Sequence, residues 1–499
     1  MQTPSLIDDW FGVTYSRPAL TALLHGDYVA SGVDFAGRFR PGYTAIWNYA
    51  QWHIPTGPSI VTAAAWGMLR VALFLVAVWM LTRWLAGKGS RVAPLLVWLA
   101  PLAVVLTPAI AVDLARYGPG EPMMIAGLII GLGLIATGVR KLLAGSHGQE
   151  RALAFAAIAA GYVLYLIGVY SKEASVCLLV FVPFLLKAVP PLRSYAPPAS
   201  KARSLLVILA ALVLAPLVHL AAHLGLAILA GDRPYPNVDL SLRTKIFAAG
   251  ISPFFGEPGV LGTWLWTAAV PTAIAVAVTT ARRREREAWL LFGALLTGFC
   301  MSAVALARGP TPSWYYIPWV VALAAVAFRG LSRAKVITQI AVAVLIVGLA
   351  ASSTPSAIAD WARTERRGST AVELAKTVVT AGCPLYLANF DIEQRVAIPQ
   401  LFRFVHGKPV ATCTRDASEA YALSWQAKPL PLDFAARCAS DWQPLAPRNG
   451  VSLLRCPSFR QAKIPDQVAA SGLPHVTVVR LRLTRVPSPL NLFQPRALD

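Results

Sequence analysis

Asp8 and Asp9 are adjacent carboxylates in a polar opening segment, residues 7 to 49, which begins Ile7-Asp8-Asp9-Trp10 and continues to Asp34-Phe35-Ala36-Gly37-Arg38-Phe39-Arg40-Pro41-Gly42-Tyr43. Two neighbouring acids can divide labour, one taking a proton from an attacking hydroxyl while the other orients it or holds a cation. Arg38 and Arg40 supply the complementary charge. A guanidinium is permanently cationic and forked, so it suits a phosphorylated leaving group better than a sugar hydroxyl. Taken singly, an acidic pair or an Arg-x-Arg-Pro turn is more often an ordinary solvated loop. Position sets these residues apart, because a long series of apolar runs follows directly.

Polar clusters recur at the ends of those runs: Arg116-Tyr117-Gly118-Pro119-Gly120-Glu121, Ser171-Lys172-Glu173, and Arg308 with Ser313-Trp314-Tyr315-Tyr316. Tyr315 and Tyr316 have an aromatic-belt reading as strong as any functional one. Lys172 and Glu173 could be a plain interfacial ion pair, yet ionisable groups this near a bilayer often mark a site. His219 and His223 stand four apart on one helix face, but one pair without the acid of a zincin motif supplies too few metal ligands, which favours packing or a lipid-facing role. Arg70, inside the first apolar run, must face the bundle and find a partner.

These clusters need elements to hold them. With 56% hydrophobic and 14% charged residues, the chain is far from the soluble norm of about 25% charged. It reads as an α-helical polytopic membrane protein. The formal charge of +21 does not indicate nucleic acid, because the basic residues are spread between apolar runs rather than clustered with aromatics. Runs at about 60–82, 92–114, 122–139, 152–170, 174–189, 204–230, 259–281, 288–307, 314–328 and 336–353 give about ten crossings. Alternate connections hold seventeen basic residues against six, so the richer set is cytoplasmic and residues 1–59 form an extracytoplasmic acidic loop. An outside start without a leader implies a further helix upstream of Met1.

The membrane domain spans 60–353, and from 354 to 499 a mixed composition predicts a small extracytoplasmic α/β domain. Its expected elements are helices at 370–380 and 391–405 and strands at 384–388, 421–425 and 476–483. Cys383, Cys413, Cys438 and Cys456, an even set outside the apolar runs, predict two disulfides with the pairing open.

Together the clusters resemble those of the GT-C superfamily, polytopic glycosyltransferases that use polyprenyl-phosphate sugars, particularly the branch of protein O-mannosyltransferases and TMTC-type enzymes. Asp8-Asp9 is similar to the acidic pair of that family's first external loop, and Asp34-Phe35 through Arg38-Phe39-Arg40-Pro41 to its aromatic-Arg-Pro turn. Arg116 to Glu121 and Ser171-Lys172-Glu173 resemble its external Arg/Glu cluster and Ser-Lys-Glu hairpin. The resemblance covers roughly residues 8 to 350. It implies inverting transfer of a sugar from a polyprenyl-phosphate donor to a glycan, lipid or protein hydroxyl at the outer face of the inner (plasma) membrane. Asp8 or Asp9 would be the base. Lys172, Arg38, Arg40 or Arg308 would neutralise the phosphate, with Tyr43, Arg116, Glu121, Glu173, Tyr315 and Tyr316 completing the substrate-binding set. Some family members use a divalent metal, Mg or Mn, for which this sequence identifies no ligands.

Three other readings compete. A secondary transporter would place its site near the midplane on broken helices, whereas these charges lie at outer helix ends. A polymerase or ligase of lipid-linked glycans shares donor and compartment but relies on a large late loop. A noncatalytic scaffold would make the acidic pair dispensable.

Overall fold

The computed structural model describes residues 20–22, 24–25, 39–54, 60–86, 101–115, 120–144, 147–188, 199–229, 275, 285–306, 316–332, 334–379, 385–388, 420–425, 430, 432–436, 438–458 and 476–478. In chain order, a π-helical stretch Gly42–Trp47 runs into α1 (Asn48–His53), followed by α2 (Ile60–Ala86), α3 (Pro108–Ala115), α4 (Glu121–Leu143) and α5 (Gly148–Val169). A 3-10 turn, Glu173–Cys177, leads into α6 (Leu178–Ala188), then α7 (Ala199–Leu229), α8 (Glu285–Leu306), α9 (Ile317–Leu331) and α10 (Val336–Val379). Among the described residues, four helical segments are long and apolar enough to cross a membrane: Ala65–Trp84, Glu121–Leu143, Gly148–Val169 and Val207–Gly225. Shorter apolar helices lie at Glu173–Phe184, Ala288–Ser302, Ile317–Leu331 and Val336–Leu345. The run at 259–281 falls outside the described residues except for Ala275.

Glycine spacing sets the most extensive helix contact, between the antiparallel α4 and α5. A Cβ at Gly131 would stand 2.7 Å from the Gly161 carbonyl oxygen, and one at Gly168 would stand 2.8 Å from the Leu128 nitrogen. Backbones therefore touch where side chains would keep them apart, as expected where helices associate in lipid by packing rather than by the hydrophobic effect. Because α4 starts where α5 ends, this seam brings Glu121 level with Ser171-Lys172-Glu173. Helix α2 packs on α4, α9 on α2, and α8 on both α6 and α9.

Two apolar runs depart from the sequence reading. The run at 92–114 is not one continuous helix. Residues 101–105 are helical, a turn follows at Leu106-Thr107, and Pro108 opens α3 instead. Proline cannot supply the N–H that would continue the first helix, but it is well suited to begin the next. The tenth run does not stop near 353 but continues in α10 through Pro355 to Val379, across the expected domain boundary. The Thr354 hydroxyl donates to the Leu106 carbonyl, so α10 satisfies an acceptor exposed by the first break.

Beyond α10 lies a five-stranded sheet, order β3-β4-β2-β1-β5, with β1 (Leu385–Ala388), β2 (Ala420–Trp425), β3 (Gln443–Arg448), β4 (Val451–Cys456) and β5 (Val476–Val478). β1 and β2 are parallel and the other pairs antiparallel. The expected strands at 384–388 and 421–425 are present, and 476–483 is described as far as Val478. The hairpin β3–β4 was not expected. Its turn is Asn449-Gly450, with φ of 50° and 79°, the dipeptide that best tolerates two left-handed residues in succession. Pro444 and Pro447 disguise β3 as loop, yet β3 is a sheet edge, where proline is tolerated. Cys438 and Cys456 form a disulfide, with Cα atoms 5.8 Å apart. Cys383, Cys413 and the helix expected at 391–405 lie outside the described residues.

Candidate functional site

Arg40 and Glu173 are 133 residues apart in sequence and meet as a buried fork. Arg40 Nε donates to Glu173 Oε2 at 2.6 Å, and Nη2 donates to Oε1 at 2.7 Å. Beside it, Lys172 Nζ lies 2.5 Å from Glu121 Oε1, and both side chains are also buried. Two cations and two carboxylates therefore share a largely dry site, built from the segment 39–54, the start of α4 and the turn after α5. In low dielectric such charges act strongly on whatever enters, and none could remain there without its partner.

Close backbone approach brings these segments together. Gly42 N–H donates to the Tyr170 carbonyl at 3.1 Å, and a Cβ on Gly42 would stand 2.6 Å from the Ile167 carbonyl oxygen. Only glycine fits there without displacing backbone. Gly120 has a similar function: a Cβ on it would lie 3.2 Å from the Ser171 carbonyl oxygen and 3.4 Å from the Tyr43 ring. Tyr43 is thus placed against the residue that precedes Glu121. Ser175, two residues after Glu173, donates to the Val169 carbonyl at 2.6 Å and holds the 3-10 turn against the end of α5.

His219 reaches the site from α7. It is fully buried, with Nε2 2.9 Å from the Phe39 carbonyl oxygen and Nδ1 3.2 Å from Ser175 Oγ. The rings of Phe39 and Tyr170 flank it at 6.1 and 5.2 Å. Arg70 finds the partners its location requires, because Nη2 donates at 3.2 Å to the carbonyls of both Asp113 and Leu114 at the end of α3. A cation at a helix C-terminus meets the negative end of its dipole.

Of the residues singled out in the sequence, the structure brings Arg40, Tyr43, Glu121, Lys172 and Glu173 to one place. Tyr316 caps α9 and is buried in the apolar cluster that includes Met124 and Ala174. Asp8, Asp9, Arg38, Arg116, Arg308 and Tyr315 lie outside the described residues. Sequence reasoning gave His219 a packing or lipid-facing role from its spacing to His223, of which full burial leaves only packing, and it did not single out Ser175. It also left the buried row Arg40, Thr44, Asn48 and Gln51 unread. The spacing of that row at i, i+4, i+8 and i+11 marks one helix face, so residues 42–53 are helical rather than loop. Among the described residues no three His, Cys, Asp or Glu side chains converge on a metal position. The carboxylates of Glu121 and Glu173 each already face a cation. Asp8 and Asp9, the acids expected to orient a hydroxyl or hold a cation, lie outside the described residues, and no step below is derived through a metal.

No family model matches the chain, and no curated protein matches it in sequence. In fold it is similar to ArnT from Cupriavidus metallidurans bound to undecaprenyl phosphate, at 13% identity and a TM-score of 0.50, over 92% of this chain and 96% of that one. The apo state of the same protein aligns over the same shares at a TM-score of 0.47. An Archaeoglobus fulgidus oligosaccharyltransferase tethered to an acceptor peptide aligns at 13% identity and a TM-score of 0.43, over 82% of this chain and 60% of that one. The first likeness shows a shared overall fold.

Proposed function

We propose that this chain is a polytopic glycosyltransferase of the GT-C type, related to the protein O-mannosyltransferase and TMTC-like branch. It transfers a sugar from a polyprenyl-phosphate donor to an acceptor hydroxyl of a glycan, lipid or protein. About ten spans cross the inner membrane, and the site and the C-terminal α/β domain face the exterior. The observation that carries this reading is the buried cluster of Arg40, Lys172, Glu121 and Glu173, set in a fold shared with a protein crystallised with undecaprenyl phosphate.

In the proposed reaction Asp8 or Asp9 removes the acceptor hydroxyl proton. The resulting oxygen forms a bond to the anomeric carbon from the face opposite the lipid phosphate, and the bond from that carbon to the phosphate oxygen breaks with its electron pair. Inversion follows from that direction of attack. Lys172, a buried cation held beside Glu121, meets the charge on the departing phosphate oxygens. Arg40, oriented by Glu173, fixes the turn and adds positive potential, with Arg38, Arg116 and Arg308 as further cations.

The test is to incubate the purified full chain in nanodiscs with a panel of polyprenyl-phosphate sugars and an acceptor extract. Release of polyprenyl phosphate with transfer of one sugar is expected. Absence of turnover across the panel, together with no binding of undecaprenyl phosphate, would contradict the proposal.

A further inference from the structure

We infer that His219 is a positioning residue: it locks the Phe39–Arg40 turn to the Ser-Lys-Glu hairpin and thereby fixes the Arg40–Glu173 fork. The inference deepens the proposed function and rests on it only for the phosphorylated ligand that the fork serves.

The hydrogen bonds support this directly. A carbonyl oxygen only accepts, so Nε2 is the donor in the 2.9 Å contact to Phe39. Phe39 immediately precedes Arg40, and this bond therefore holds the peptide from which the guanidinium extends. On the other side of the ring, Nδ1 lies 3.2 Å from Ser175 Oγ, just past Glu173. With Nε2 as the donor, Nδ1 accepts, and Ser175 Oγ shares its one proton between the Val169 carbonyl at 2.6 Å and Nδ1 at 3.2 Å, so the Nδ1 contact is the weaker of the two. Phe39 and Tyr170 flank the ring and hold it in place. Among the described residues, the charged and titratable groups near it are Glu173, Arg40 and His223, with the Tyr170 ring tilted alongside at 5.2 Å. One side chain on α7 thus bridges the two segments that supply the two halves of the fork.

A histidine that merely fills space needs only its shape, whereas a positioning histidine needs the Nε2 donor. Gln and Asn separate the two roles. The amide nitrogen of His219→Gln can occupy the place of Nε2, while that of His219→Asn falls near Nδ1 and stops short of Phe39. His219→Met keeps length and burial without any donor, and serves as the second loss variant if the Asn protein does not accumulate.

The first readout does not depend on the ligand. A double-mutant cycle of Arg40→Gln with Glu173→Gln, scored by unfolding of the full chain, is expected to show coupling of about tenfold or more in the equilibrium constant. The coupling should persist in His219→Gln and fall to within about twofold of none in His219→Asn and His219→Met. The second readout is affinity for undecaprenyl phosphate at a temperature where every variant is folded. It should weaken about 10- to 100-fold in the loss variants and stay within about threefold of the parent in His219→Gln. Equal coupling in the Gln, Asn and Met backgrounds would overturn the inference. If the coupling follows the expected pattern but the parent itself does not bind undecaprenyl phosphate, the positioning role stands and the ligand assignment fails.

Discussion

Glu173 holds both nitrogens of the Arg40 fork, and this makes the pair a poor source of net stability but a precise placement of charge. Desolvating two ions consumes most of what their attraction returns, yet removing one partner strands the other. Arg40→Ala is therefore expected to destabilise the protein by about 3–5 kcal/mol. Replacing both residues, Arg40→Met with Glu173→Leu, should recover most of that stability without restoring affinity for undecaprenyl phosphate. Chemical denaturation alongside lipid binding measures both effects, and full recovery of binding in the double variant would remove the fork from the site. Arg40→Lys keeps the charge and loses the fork, so transfer should be impaired less than in Arg40→Ala. Lys172 differs, because it is an ammonium, a compact charge held against Glu121 rather than a planar fork. Lys172→Met should weaken undecaprenyl-phosphate binding by about tenfold or more, since a buried cation facing phosphate is worth a few kcal/mol. Unchanged affinity would assign Lys172 to structure alone.

At the scale of elements, the glycine seam between α4 and α5 brings Glu121 to Lys172, and it is the feature most exposed to a single added side chain. Gly131→Leu would place Cβ 2.7 Å from the Gly161 carbonyl oxygen and the Tyr165 nitrogen. A loss of about 1–3 kcal/mol is expected from the overpacking, with weaker lipid binding as the helices separate and Glu121 shifts. Gly148→Ala, at the first residue of α5 with open space around it, carries only the strain of its φ of 52° and should leave lipid binding intact. The contrast shows what the sequence made legible. Apolar length located helices well, because burial in lipid demands it of each segment separately. It missed the break at Pro108 and the continuation through Pro355, since a proline reads the same in both places and only the bond from Thr354 to Leu106 distinguishes them. Motif resemblance singled out Arg40, Glu121, Lys172 and Glu173, which the structure brings together in two ion pairs. It could not find His219, whose partners Phe39 and Ser175 are 180 and 44 residues away and carry no local pattern.

For the whole molecule, the proposed exterior position of the site rests on the charge asymmetry and the cysteines. Single cysteines at Ser90 and Ser356 should label from opposite sides, and labelling of both from the cytoplasm would reverse the proposed orientation. Peptide mapping without reductant should recover Cys438 joined to Cys456, the pair bonded in the structure, and Cys383 joined to Cys413. Free Cys383 and Cys413 thiols would limit the oxidised framework to one bond. The central claim is that an acidic pair at the outer face deprotonates an acceptor hydroxyl while buried cations receive the lipid phosphate. Its most direct test is transfer from a polyprenyl-phosphate sugar by the variant carrying both Asp8→Asn and Asp9→Asn, with undecaprenyl-phosphate binding followed in parallel. Asparagine keeps the shape but cannot take the proton, so transfer should fall by about a hundred- to ten-thousandfold while binding stays near that of the parent. Turnover equal to the parent in that double variant would contradict the account.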